Sequence, residues 1–337
     1  MKTVAPVGDR IAALDGLRAF AVGLVLLGHA FPSIYPRGGV GVDVFFVISG
    51  FVITRHLLDN QPSFKSFYVA RIQRLLPPAL VVIAATWALF QMKLVETSYL
   101  AILAAAFSFM NWLRAFEYFD DDGGRLGLYW SLSIEEQFYA LWPILLLLLL
   151  HYRHDPRKVI LAAIIAVMAW RIFLYLNGAS PERISNGLDT RADGLLAGCL
   201  LAFIKPRDVG LAAPIAIGVI FFAGALYVDP SSLFTQLRYP LITGLSVFAV
   251  LGCVWGTGRW KIALENPMSQ WLGSRSYSVY LWHYPLMGAA STIGIANGVR
   301  GAIYMSVATA LALIAAEITF RTIERPLREA RHRKLNS

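Results

Sequence analysis

Long apolar runs recur along almost the whole chain, and they decide its class before any motif is considered. Eleven can be marked, at 11–31, 40–58, 78–94, 98–113, 130–150, 159–176, 191–204, 211–227, 239–256, 276–295 and 301–323. About 20 apolar residues wound as a helix cross the hydrocarbon core of a bilayer, where only a helix or a closed barrel satisfies its own backbone. The expected fold is therefore an all-α polytopic membrane protein. One integral-membrane domain is expected over 1–337, with no linker, internal repeat or appended soluble domain. Composition agrees: 57% of the 337 residues are hydrophobic and only 15% are charged, with a mean hydropathy of +0.58.

Charge sets the expected topology. Basic residues in the N-terminus (Lys2, Arg10), the 55–77 segment (Arg55, Lys65, Arg71, Arg74) and the tail (Arg325, Arg328, Arg331, Arg333, Lys334) mark all three as cytoplasmic. The 151–158 loop, HYRHDPRK, belongs on the same side, whereas 114–125, with Glu117 and Asp120 to Asp122, is expected outside. Eleven crossings cannot return both termini to one side. The shortest and most polar run, 98–113, is therefore expected to be re-entrant, which leaves about ten transmembrane helices with both termini cytoplasmic. The net charge of +9 follows from this loop bias and calls for no nucleic-acid partner. Cys199 and Cys253 fall inside apolar runs, and no two histidines within a span have ligand spacing, so neither a disulfide framework nor a metal site is expected.

Ionisable residues inside these runs carry the functional information, since each costs at least ~2.5 kcal/mol at membrane depth. The first run, DGLRAFAVGLVLLGHA, holds Arg18 and His29 eleven residues apart. On a helix that is about 1,100° of rotation, so the two share one face, roughly 16 Å apart along the axis. Asp15 is placed to pair with Arg18. A histidine is the natural general base for a hydroxyl nucleophile, and Asp43, opening the second run on the same side, either orients that imidazole or caps its helix. Arg71 and Arg74, three residues apart on one side of a helix just before Pro77 and Pro78, suit a phosphate. LYWSLSIEEQFYALWP brings Trp130, Ser131, Glu135, Glu136 and Tyr139 to the mouth of a span; an aromatic belt explains the rings but not the two glutamates. One of them is expected to face a polar cavity. Asp189, Arg191 and Asp193 are expected to neutralise one another, Trp282 and His283 lie inside a span, and Glu324 sits among arginines at the cytoplasmic boundary.

Taken in order, LDGLRAFAVGLVLLGH, GGVGVDVFFVISGF, RIQR, WSLSIEEQFYALWP, TRADGLLAG, YSVYLWHYP and IERPLR resemble the motif series of the acyltransferase 3 family. Its members are membrane-bound O-acyltransferases of bacterial surface polysaccharides and related glycans. The match runs from about residue 10 to 328. The resemblance implies that Arg18 and His29 are the family's arginine–ten residues–histidine pair, with His29 as base. Arg71 and Arg74 become the arginines that contact acyl-CoA, Glu135 the glutamate of a WSL-x-x-E motif, and Glu324 a glutamate near the end of the last core span. Trp130, Ser131, Glu136, Arg191, Asp193, Trp282 and His283 are further motif positions.

On this basis the chain is expected to be a multi-pass enzyme of the bacterial cytoplasmic (inner) membrane with no permanently bound cofactor. Its donor would be acyl-CoA, most often acetyl-CoA, and its acceptor a sugar hydroxyl in a polysaccharide, glycolipid or glycoside. Polysaccharide-assembly proteins are possible partners. Arg18 toward the inside and His29 toward the outside would line one polar route from donor to acceptor. A transporter or flippase of a glycan precursor would explain the spans and buried charges equally well, but not the motif series. A sensory or scaffold protein would leave the ionisable residues unexplained.

Overall fold

The computed structural model describes residues 11–119, 123–205, 208–293 and 298–336. Lys2, Arg10 and the acidic run Asp120 to Asp122 lie outside them. All regular structure among the described residues is helical. The chain first runs through α1 (Ala12–Ala30), α2 (Val40–Asn60) and α3 (Phe64–Gln91), followed by the short α4 (Tyr99–Ala106) and α5 (Met110–Ala115). Next come α6 (Tyr129–His151), α7 (Pro156–Leu176), the short α8 (Pro181–Asn186), α9 (Leu188–Leu201), α10 (Ala212–Ala225) and α11 (Leu233–Trp255). The last part comprises the short α12 (Lys261–Glu265), α13 (Pro267–Ile293), α14 (Gly298–Thr319) and α15 (Arg325–Asn336).

Among the described residues seven stretches are long and apolar enough to cross a bilayer: α1, α2, α3, α6, α7, α11 and the continuous run Arg300–Ala330. The expected ten thus stand at seven by length and composition. The remaining candidates fall short for physical reasons. α9 and α10 have 14 residues each, about 21 Å of helix against a hydrocarbon core of about 30 Å. α13 is long, but Gln270, Arg275 and His283 interrupt its apolar face. Several apolar helices of spanning length in one chain are the mark of a multi-pass membrane protein. α7 shows the lipid-facing character most plainly, presenting Val159, Leu161, Ile165 and Phe173 outward while Arg171 is buried.

Two boundaries differ from expectation. Arg71 and Arg74 lie on a helix as expected, but the rest of the basic 55–77 segment is not a loop, because α2 continues to Asn60 and α3 begins at Phe64, leaving a turn in which Gln61 adopts the left-handed conformation (φ 40°). α3 then runs through Pro77 and Pro78, and the hydroxyls of Tyr277 and Tyr129 donate to the carbonyls of Leu75 and Ala79 on either side. Hydropathy cannot see a helix that projects past the membrane boundary on charged turns. The 98–113 run is not one element either. It breaks into α4 and α5 at Phe107–Phe109, with Ser108 at φ 57°. Gln137 of α6 holds the break by donating to the Ser108 carbonyl (2.7 Å) and to Asn111 Oδ1 (2.8 Å). Neither piece is long enough to cross.

α1, α2, α9 and α13 form the centre. α1 packs chiefly on α13, and α2 on α9. The second approach is very close: a Cβ on Gly50 would overlap the Leu195 carbonyl oxygen, and one on Gly198 the Val47 carbonyl oxygen. Only glycine permits that spacing. Between α14 and α15 the segment Phe320–Glu324 winds as a π-helix, which buries Glu324. Single π turns of this kind often accompany functional sites.

Candidate active site

The sequence-expected residues fall into three groups, which the bundle keeps distinct. The first lines a cavity of about 890 Å³, at the large end of the range for small-molecule sites. Its walls carry Arg18, Arg71, Arg74, Ser131, Glu135 and Glu324. Arg18 donates to Asp15 (2.7 Å), as the spacing suggested. Glu135 is the glutamate that faces the cavity, and it accepts from Ser49 Oγ at 2.8 Å. Glu324 does not pair with its arginine neighbours; it accepts from Ser278 Oγ at 2.5 Å. The π turn explains the difference, because it turns this carboxylate inward while Arg325 turns out to pair with Glu329.

Arg71 and Arg74 stand near each other on one part of the cavity wall, its basic end, with Glu324 close by. Arg71 lies with its guanidinium carbon 3.2 Å from the centre of the Tyr139 ring, which fixes its plane while leaving its N–H edge directed elsewhere. Arg74 is exposed. A third arginine, Arg328, completes the group and was not singled out from the sequence, where it looked like one basic residue of a tail. Among the described residues none of the three forms a salt bridge, although Glu135 faces Arg71 and Arg74, and Glu324 faces Arg74 and Arg328, from farther off. Such a cluster fits a polyanion such as a phosphate ester.

The second group centres on His29, at the opposite end of α1. The imidazole is exposed, does not line the cavity, and stands against His283: His283 Nε2 and His29 Nδ1 are 3.1 Å apart. His283 Nδ1 faces the Tyr280 carbonyl at 2.7 Å and His29 Nδ1 faces the Val25 carbonyl at 3.1 Å. A carbonyl only accepts, so each Nδ1 carries a proton. His29 Nε2 is then left as an unprotonated lone pair. Tyr280 stands between this pair and the cavity. It lines the cavity wall, its ring lies 5.6 Å from that of His283, and its hydroxyl bonds to Ser131 Oγ (2.7 Å) and donates to the Leu128 carbonyl (3.2 Å). Trp282 on the same helix is structural in its contacts, donating from Nε1 to Thr319 Oγ1 at 2.8 Å.

Asp43 belongs to a third group and does not orient His29, nor does it cap α2, whose N-cap is Gly39 with no side-chain bond. It pairs with Arg191, and both are buried. The expected mutual neutralisation of Asp189, Arg191 and Asp193 is likewise replaced by three separate pairs: Asp189 with Arg183 (2.5 Å), Asp193 with Arg171 (2.8 Å) and Arg191 with Asp43. Helical geometry forbids the local version, because residues two apart point about 200° from one another. Arg191 also approaches the rings of Trp130 (5.6 Å), Phe46 (5.8 Å) and Tyr239 (4.1 Å). This network thus backs onto the cavity wall at Phe46. Glu136 stays half-buried beside Glu135 and outside the cavity.

The acyltransferase domain family matches residues 11–320. The chain belongs to the acyltransferase 3 family. It is 34% identical to the peptidoglycan O-acetyltransferase OatA of Listeria monocytogenes, over 95% of this chain and 56% of that protein. It is 33% identical to the putative peptidoglycan O-acetyltransferase YrhL of Bacillus subtilis, over 94% of this chain and 55% of that one. The O-acetyltransferase OatA of Staphylococcus aureus is 30% identical, over 95% and 57% respectively. The chain spans a little over half the length of these curated relatives. No solved structure matches it.

Proposed function

We propose that this chain is a membrane O-acyltransferase that moves an acyl group, acetyl in the simplest case, from cytoplasmic acyl-CoA to a sugar hydroxyl of a cell-wall or other surface polysaccharide. The observation that carries this reading is the 890 Å³ cavity with Arg71, Arg74 and Arg328 at its basic end and Tyr280 at the wall shared with the His29–His283 pair. The names of the relatives support an acetyl group and a cell-wall acceptor.

On this reading the basic end opens to the cytoplasm of a bacterial cell, both termini lie on that side, and the three arginines bind the phosphates of the donor. Arg18, held by Asp15, adds positive charge deeper in the cavity. The thioester reaches toward Ser131 and Tyr280, whose hydroxyls are hydrogen-bond donors for the developing oxyanion. The acceptor arrives from the opposite, outer side, where His29 is exposed. His29 Nε2 takes the proton of the sugar hydroxyl as its oxygen bonds to the acyl carbon. The C–S bond then breaks, and the CoA thiolate leaves toward the cytoplasm and is protonated there. Because the Ser131–Tyr280 contact separates the two sides, that pair must part for the acyl group to pass.

The test is mass spectrometry of host surface glycans from a deletion strain complemented with wild type or with His29→Ala. The expected result is loss of one acyl-sized mass in the deletion, restored by wild type alone. Full restoration by normally expressed His29→Ala would refute the catalytic reading.

A further inference from the structure

Two arginines on the His29 end of the bundle have donors that nothing satisfies. Arg37 lies in the 31–39 turn between α1 and α2, and Arg238 on the second turn of α11. The two segments meet, since the Arg37 backbone N–H donates to the Gly224 carbonyl at 3.0 Å, just ahead of the loop leading into α11. Arg238 is 9% exposed. Its Nε and Nη1, and the Nε and Nη2 of Arg37, are buried without a hydrogen-bond partner. Several other arginines leave a single Nε unmet, but among the described residues only these two leave a pair of nitrogens each.

Local charge does not resolve the deficit. Arg37 and Arg238 are close enough to repel, and that repulsion, added to burial as the larger cause, lowers the Arg37 pKa from its ordinary value. Around them, Arg171 and Arg191 occupy the buried carboxylates of Asp193 and Asp43. Asp229 attracts Arg37 from a distance but forms no salt bridge with it, and its Oδ1 accepts from the Ser231 N–H (2.9 Å) and hydroxyl (2.8 Å). Arg238 lies 5.5 Å from the Tyr239 ring and Arg37 5.5 Å from the Tyr227 ring. Stacking of that kind engages a guanidinium's face and leaves its in-plane N–H groups open. Buried donors without partners are rare in folded proteins and ask for a ligand.

We propose that Arg37 and Arg238 form an anion subsite on the acceptor side, holding a carboxylate or phosphate carried by the acceptor glycan while His29 acts on one of its hydroxyls. This rests on the reading of the chain as an O-acyltransferase and specifies its acceptor as an acidic sugar. The location favours a glycan over a lipid head group. Arg238 is enclosed by the central network of Tyr239 and Arg191, and Arg191 in turn leans on Phe46, a wall residue of the donor cavity. A head group would instead be met at the lipid-facing rim.

The test is binding to the purified full chain without any acyl donor, so its outcome is independent of whether transfer occurs. D-glucuronate, glucose 6-phosphate and D-glucose are titrated against wild type, Arg37→Gln and Arg238→Gln, following thermal stability and calorimetry. At least one charged sugar is expected to bind saturably, with glucose silent, and each variant to weaken it about tenfold. Arg37→Gln sits in a half-exposed turn, so the comparison holds even if Arg238→Gln fails to fold. Absence of binding by both charged sugars, or equal binding by wild type and Arg37→Gln, would overturn the proposal. So would stabilisation by phosphatidylglycerol nanodiscs over phosphatidylcholine ones with no response to either sugar, which would assign the subsite to a lipid.

Discussion

His283 Nε2 meets His29 Nδ1 at 3.1 Å, joining two histidines 254 residues apart in the chain through one proton. The carbonyls of Tyr280 and Val25 fix both tautomers, so the proton on His29 Nδ1 is shared between Val25 and His283 while Nε2 is kept bare. His283 is fully buried and His29 exposed, which suits a positioning residue behind a reacting one.

Removing the support should therefore act on rate and not on donor binding. His29→Ala is expected to lower kcat by about 10²- to 10⁴-fold, the usual worth of a general base. His283→Ala should lower kcat by a smaller factor, about tenfold or more, because it frees the ring without removing it. KM for acyl-CoA should be unchanged in both. Steady-state kinetics in detergent or proteoliposomes checks this. A His283→Ala variant with a raised KM and a normal kcat would place the residue in donor binding.

The arginines at the basic end should behave in the opposite way. Arg71→Ala, Arg74→Ala and Arg328→Ala are each expected to raise KM for acyl-CoA with little change in kcat, since phosphates remote from the thioester are held alike in ground and transition states. A lost charge-assisted bond is worth about 1.5–3 kcal/mol, or roughly 10- to 150-fold in affinity. Arg71→Lys should not rescue, because an ammonium cannot stack on Tyr139 with its plane fixed. Added salt should weaken donor binding in the wild type more than in the triple variant.

The buried Asp43–Arg191 pair gives a stability prediction. Asp43→Asn or Arg191→Met leaves one uncompensated buried charge, which is expected to cost about 3–5 kcal/mol. The double variant should recover much of that loss, and thermal unfolding of the purified protein in detergent measures the cycle. Equal stabilities for single and double variants would mean that neighbours, such as Tyr239 against Arg191, carry the compensation.

Hydrophobic runs made the helical class legible from the chain alone and the ordered motifs made the family so, and the spacing of Arg71 to Arg74 and of Asp15 to Arg18 survived into the cavity wall. What could not be read was long-range. His283 was one histidine in an apolar run until α13 packed on α1 beside His29. Asp43 looked local to its own helix because nothing in its neighbourhood shows that Arg191, 148 residues later, will face it. Arg328 and Ser49 were indistinguishable from ordinary tail and span residues. Hydropathy also misjudged α3, whose first turns are charged yet helical. Periodicity reports which side of a helix is apolar, but it carries no information about the partner helix.

The contact between α2 and α9 tests how far the site depends on that partnership. α2 supplies Asp43 and Ser49, α9 supplies Arg191 and Asp193, and the two helices approach backbone to backbone at Gly50 and Gly198. Any Cβ at either glycine overlaps a carbonyl oxygen of the facing helix, and backbone cannot rotate away as a flexible side chain could. Gly198→Val is expected to cost about 3 kcal/mol or more through overpacking, and Gly198→Ala a smaller amount of the same sign. Because the strain is relieved by moving α9 outward, the Asp43–Arg191 pair should loosen as well. Thermal unfolding should then show Gly198→Ala to be less than additive with Arg191→Met. By contrast, Gly23 of α1 and Gly244 of α11 have no heavy atom within 4 Å of a built Cβ, so Gly23→Ala and Gly244→Ala serve as matched controls. Both should be neutral or slightly stabilising, since alanine is favoured over glycine in a helix. Equal destabilisation at all three sites would show that helix propensity, and not the close approach of α2 and α9, governs these positions.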